Sequence, residues 1–180
     1  MEALIFLIDG FEEIEAVATI DILRRGGVYV RSVSLTGKRT VIGKHKIAVI
    51  SDYLFDEVDF ENTLMLILPG GTVEINEHEG LKRQILNFAE KGKLIAAICA
   101  APMVLGGLGL LKGKKTTCYP GFEKYLIDAE IVETPVVVDG NITTARAAGF
   151  TYDFALELLK QLKGKDVADD VASKMLLANT

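Results

Sequence analysis

Residues 94–111, LIAAICAAPMVLGGLGLL, contain no charged side chain and are bracketed by Lys93 and Lys112. No other segment constrains the fold as strongly. A run of this length either spans a membrane or joins two buried elements through a turn. Its internal chemistry separates the two. The first five residues suit a strand, and Pro102 cannot donate the hydrogen bond of an internal helical turn. Proline is well placed in the first turn of a helix, where those donors are free. Gly106, Gly107 and Gly109 then mark a helix end and a tight turn. The run is therefore read as a strand over 94–98, a turn at Cys99 and a helix from about 101 to 106, with no membrane segment.

The rest of the chain repeats this grammar. ALIFLI (3–8) and LMLIL (64–68) are short continuous apolar runs, as expected of strands buried on both faces of a parallel sheet. The stretch EEIEAVATIDILRRGG places Ile14, Val17, Ala18 and Ile22 near helical spacing. It opens with acids and ends with Arg24-Arg25 and a glycine pair, which fits a helix and its dipole. VYVRSVSL (28–35) alternates and is rich in β-branched residues, so a strand is expected. Residues 36–60 read as an irregular excursion with short strands at 40–42 and 46–50. Helices are expected at 80–91, 150–162 and 165–177, a strand over 114–119 and a short helix over 121–127. VVVDGNITTA (136–145) reads as a hairpin turning at Asp-Gly. Alternating strands and helices predict one α/β domain over 1–180, a doubly wound, mainly parallel sheet with helices on both faces.

Composition excludes some functions. Twenty basic against 25 acidic residues give a net charge of −5, and no basic face is available for nucleic acid or an anionic membrane surface. Two cysteines, Cys99 and Cys118, make neither a disulfide framework nor a four-cysteine metal site. The start, MEALIFLIDG, lacks the basic n-region and small-residue cleavage site of a signal peptide, so a cytoplasmic location is expected. His45 and His78 are the only histidines, and without further suitable ligands they give a metal site little support. No GxGxxG follows a strand, so no dinucleotide is expected. No metal or cofactor is assigned.

The parse puts Cys99 where a buried strand passes to a helix N-terminus. In open α/β sheets ligands bind at the carboxyl ends of strands, and free amides there favour a thiolate. A sharp turn would lift the side chain above the sheet edge, and Ala100 and Ala101 leave room beside it. The same position also suits a small buried hydrophobe. Glu12, Glu13 and Glu15 open the first helix. Glu12 and Glu13 read as surface acids favoured by the dipole. Glu15 differs because Ile14 and Ala16-Val17 surround it with apolar residues, and a buried carboxyl stays protonated to higher pH. Gly70 and Gly71, at another strand end, can offer amides to an oxyanion or can simply form a tight turn.

The segments DGFEEIEAV, LPGG, AAICAAP, TTCYPG and TARAAGFTYDFAL occur in an order that resembles the DJ-1/PfpI (ThiJ-like) superfamily across essentially the whole chain, with AAICAAP and EEIEAV closest to the DJ-1 branch. The resemblance implies a flavodoxin-like fold, an elbow cysteine at Cys99 and a protonated Glu15 hydrogen-bonded to it. It also implies oxyanion amides from Gly71 and Ala100, an Arg146 near the cysteine pocket and a homodimer. Two departures stand out. Cys118-Tyr119-Pro120 replaces a histidine-bearing turn, and Ala100 replaces the histidine that follows the cysteine in some relatives. A Cys-His-acid triad, and with it an intracellular cysteine peptidase, is therefore the weakest reading. Cys118 and Tyr119 remain candidates for the pocket rim.

The leading expectation is cofactor-independent detoxification of a small reactive aldehyde or glycated substrate, of glyoxalase or deglycase type and protective under stress. Cys99 would attack methylglyoxal and Glu15 would move protons, giving lactate. The alternative is a redox sensor or chaperone in which Cys99 is oxidised to sulfinic acid and held by Glu15. Both readings ask for a thiol more acidic than the ordinary one.

Overall fold

A computed structural model of the chain describes residues 2–177. Its centre is a seven-stranded sheet. In chain order the strands are β1 (Glu2–Leu7), β2 (Tyr29–Ser34), β3 (Thr40–Ile42), β4 (Ala48–Ile50), β5 (Tyr53–Leu54), β6 (Thr63–Leu68), β7 (Leu94–Ile98), β8 (Lys115–Thr116), β9 (Glu130–Ile131), β10 (Val136–Asp139) and β11 (Ile142–Ala145). The sheet order is β10-β11-β7-β6-β1-β2-β5, and every pairing except β10 with β11 is parallel. The strand β1 lies inside the sheet between β6 and β2, as suits a run apolar at every position, and Ala3–Leu7 are fully buried.

Alternation along β1 divides the interior. Ala3, Ile5 and Leu7 face α1 (Glu13–Arg25), α4 (Thr151–Lys163) and α5 (Lys165–Lys174). Leu4 and Phe6 face α2 (Glu79–Glu90) and α3 (Pro102–Gly107). Helices thus cover both faces, as the doubly wound reading expects. Successive elements move from β1 to β2 on one side and then cross to β6 on the other. The direction in which strands are added reverses between β1 and β6, and their carboxyl ends open beside that of β7. Open α/β sheets bind ligands at such switch points.

The uncharged run 94–111 divides as expected into β7, a turn and α3, with Pro102 in the first helical turn. Among the described residues no helix is long and apolar enough to cross a membrane.

Some boundaries differ from expectation. The strand over 114–119 shrinks to β8, which pairs with β9 outside the main sheet. Beyond it the backbone turns toward the sheet: Thr117 N donates to Thr144 Oγ1 and Tyr119 N to Cys99 O. The helix over 121–127 is a single 3₁₀ turn at Glu123–Tyr125. The last helix, expected over 165–177, ends at Lys174.

Helix α1 is rotated relative to its apolar pattern. Its buried stripe is Glu15, Ala16, Thr19, Ile22 and Leu23, while Ile14 and Val17 are 53% and 46% exposed. The stripe follows close packing on α4, where a Cβ on Gly26 would lie 2.2 Å from Leu159.

Candidate active site

Three strand ends build the site. The elbow after β7 places Cys99 at φ 65°, in the left-handed region that non-glycine residues rarely adopt. Such a conformation costs about 1–3 kcal/mol and persists only where the surroundings enforce it. They do so here: Cys99 N donates to Ala145 O at 2.9 Å, and Cys99 O accepts from Tyr119 N at 2.8 Å. With both backbone groups tied down, the half-buried thiol projects from the elbow.

Glu15 reaches the same place from α1. It is fully buried, and its Oε2 accepts the Gly70 amide, after β6, at 2.7 Å. Its Oε1 has no hydrogen-bond partner among the described residues. Gly70 is wedged between the two groups, since a Cβ there would lie 2.7 Å from Cys99 Cβ and 3.0 Å from Glu15 Oε2. The Gly71 and Ala100 amides are directed at the Cys99 sulfur. Gly70 departs from the sequence expectation: its N–H is spent on Glu15 and is not free for an oxyanion. Gly71 takes φ 97° against the loop after β1, where a Cβ would meet Glu12 N at 2.3 Å, so the close approach of the two loops requires glycine.

Burial pushes the Glu15 carboxyl up to about 7. Burial and the nearby Glu15 carboxylate push the Cys99 thiol up to about 12. The two groups form one buried pair that gives up a first proton readily and resists a second negative charge. An acidic thiol, as read from sequence, therefore requires Glu15 to keep its proton. Hydrogen-bond counting favours that arrangement. A thiolate receives the Gly71 and Ala100 N–H groups and the Glu15 O–H, whereas the Glu15 carboxylate receives the Gly70 N–H and the Cys99 S–H. The helix dipole contributes little, because α3 has only six residues.

Cys118 is buried and lines a small recess with Arg146, Glu123 and Glu133. Burial pushes its thiol up to about 11. Arg146 turns from the elbow toward Glu133, whose carbonyl and carboxylate it meets at 3.4 and 3.6 Å. Tyr119 touches the elbow through its backbone, and its ring is half-exposed against Phe122. His78 is an N-cap: its Nδ1 accepts Leu81 N at 3.0 Å.

Glu13 departs from its surface reading. It is buried and accepts His45 N at 2.7 Å and Ile47 N at 3.4 Å, while its Oε2 lies 2.9 Å from His45 Nδ1. These bonds hold its carboxyl below the usual range despite burial. Glu12, Glu13 and His45 bring ligand-type atoms within 4.8 Å of one another, a grouping that residues 32 apart in sequence do not advertise. A cleft of about 420 Å³ opens between this turn and the ends of β1 and β6, and Gly71 is on its wall.

Comparison with known proteins agrees with this architecture. The Arabidopsis thaliana protein DJ-1 homolog A is 39% identical over 180 residues, 97% of this chain but 46% of the relative, so the chain spans less than half that protein's length. A deglycase of Pyrococcus horikoshii is 35% identical over 171 residues, covering 91% of this chain and 100% of the relative. The crystal structure of Drosophila melanogaster DJ-1beta superposes with a TM-score of 0.94 at 34% identity, over 99% of this chain and 98% of that one. The DJ-1/PfpI family pattern itself matches residues 1–161, and the chain belongs to that family.

Proposed function

We propose that the protein is a cysteine-dependent enzyme acting on reactive carbonyls, with Cys99 as nucleophile and Glu15 as the proton carrier. The observation that carries this reading is the buried Cys99–Glu15 pair with the Gly71 and Ala100 amides around the sulfur. The deglycase name of the Pyrococcus relative supports the same substrate class.

On a 2-oxoaldehyde such as methylglyoxal, the thiolate adds to the aldehyde carbon and the carbonyl oxygen takes the Glu15 proton, giving a hemithioacetal. The Glu15 carboxylate then removes the proton on that carbon and returns it to the neighbouring carbon through an enediol. A 2-hydroxy thioester results. Water cleaves its C–S bond, releasing the 2-hydroxy acid and restoring the thiolate. The sum is one water added to the substrate, with one carbon oxidised and its neighbour reduced. Release of an aldehyde adduct from a protein amine would begin with the same addition. The exposed Ile14 and Val17 on α1 support a homodimer, which Ile14→Glu should convert to a monomer in light scattering.

Conversion of methylglyoxal to lactate by the purified protein, and its loss in Cys99→Ser, tests the reading. Absence of turnover in the wild type, together with loss of peroxide protection in Cys99→Ser, would replace it with the redox role.

A further inference from the structure

Two lysines stand on the wall of the cleft beside the Cys99–Glu15 pair. Lys44 and Lys46 line it opposite Gly10, Gly71 and Thr72. Gly71 joins the cleft to the site, because its amide is directed at the Cys99 sulfur. Lys44 is close enough for its charge to favour the ionised Glu15 carboxyl.

The turn that carries the lysines is fastened to the β1–α1 loop from both sides. Gly10 N donates to Ile42 O at 2.7 Å and Lys44 N to Phe11 O at 2.9 Å. Glu13 accepts two amides of the turn from below. Gly43 makes room for it, since a Cβ there would lie 2.2 Å from Glu13 Oε1. Lys46 is set at φ 68° between those amides. Among the described residues neither lysine has an ion-pair partner, although the protein is acidic overall. Asp9 is the one carboxylate on the cleft wall, and its Oδ1 accepts Ile42 N at 2.8 Å. The cleft is therefore a fixed, net cationic recess that shares Gly71 with the Cys99 site.

We infer that this cleft is an anion subsite, and that the preferred substrates are reactive carbonyl compounds carrying a carboxylate or phosphate. The inference rests on the proposed carbonyl chemistry for its substrate class. Two exposed lysines acting together on one anion give a preference of about tenfold.

The test compares 4,5-dioxopentanoate with its methyl ester, which removes the negative charge and adds one methyl group. The wild type should favour the acid by about tenfold in kcat/KM, and 0.5 M salt should shrink that ratio. The double variant Lys44→Gln, Lys46→Gln should bring the acid-to-ester ratio close to one, and the double Arg variant should keep it. A phosphate-bearing 2-oxoaldehyde, compared with its dephosphorylated form, shows which anion is preferred. An equal rate on acid and ester, or a ratio that the double Gln variant leaves in place, overturns the inference. A separate readout covers failure of the enzymatic reading: 4-oxopentanoate should protect Cys99 from iodoacetamide in the wild type and less so in the double Gln variant. Lysine-dependent protection without turnover would retain the subsite and remove the enzyme. No protection by the anion would remove the subsite.

Discussion

The Gly70 amide donates to Glu15 Oε2 at 2.7 Å, and the Cys99 thiol meets the same carboxyl. A carboxyl in that position is stabilised by keeping a proton, because burial disfavours its ionised form. Glu15→Gln keeps the shape and a hydrogen-bond donor but carries no transferable proton. Turnover of methylglyoxal should fall about 10²–10⁴-fold, the usual contribution of a general acid–base group. Circular dichroism should be unchanged. Full activity in this variant would remove Glu15 from the chemistry.

Thiol reactivity should follow the pair rather than an isolated cysteine. The pair loses its first proton near 7, the value of the Glu15 carboxyl, and iodoacetamide alkylation of Cys99 should rise there only to the extent that the charge passes to sulfur. An ordinary thiol titrates near ~8.5. If alkylation begins only well above that value, the charge sits on Glu15 and the thiol is the protonated member.

The same carboxyl links stability to pH. Its folded value lies near 7, above the 4.5 of an unperturbed glutamate, so the native state holds a proton that the unfolded chain releases. That contribution is complete below about 4.5 and is lost as pH rises through 7. Urea unfolding from pH 4.5 to 8 should show the wild type losing on the order of 3 kcal/mol relative to Glu15→Gln. Parallel curves for the two proteins would contradict it.

Gly70→Ala should act on the site. The added Cβ would lie 2.7 Å from Cys99 Cβ and 3.0 Å from Glu15 Oε2, so one of them must move. Displacement by about 1 Å costs on the order of 10²-fold in rate. We expect kcat/KM to fall to that extent and the alkylation profile of Cys99 to shift. Unaltered kinetics would show that the pair tolerates the shift.

Much of this protein is determined by local sequence. The apolar runs at 3–8, 64–68 and 94–98 have no alternative to burial on both faces, and the strands form there. Pro102 divides the uncharged run into strand and helix because a proline ring and an internal helical hydrogen bond exclude each other. Cys99 was visible for the same reason, and Glu15 was visible as a carboxyl too close to the core to be an ordinary surface acid.

Other features were settled only by tertiary packing. The rotation of α1 follows its fit against α4, which exposes Ile14 and Val17 and buries Glu13, although the sequence pattern alone favours the reverse. The Gly70 amide reaches Glu15, 55 residues away in sequence, only through the position of α1. Glu13 and His45 meet across 32 residues because the β3–β4 turn folds back over the start of α1. Hydrogen-bond partners separated by tens of residues leave no local periodicity. Their pairing depends on where rigid helices and strands end, and that is decided when the core packs.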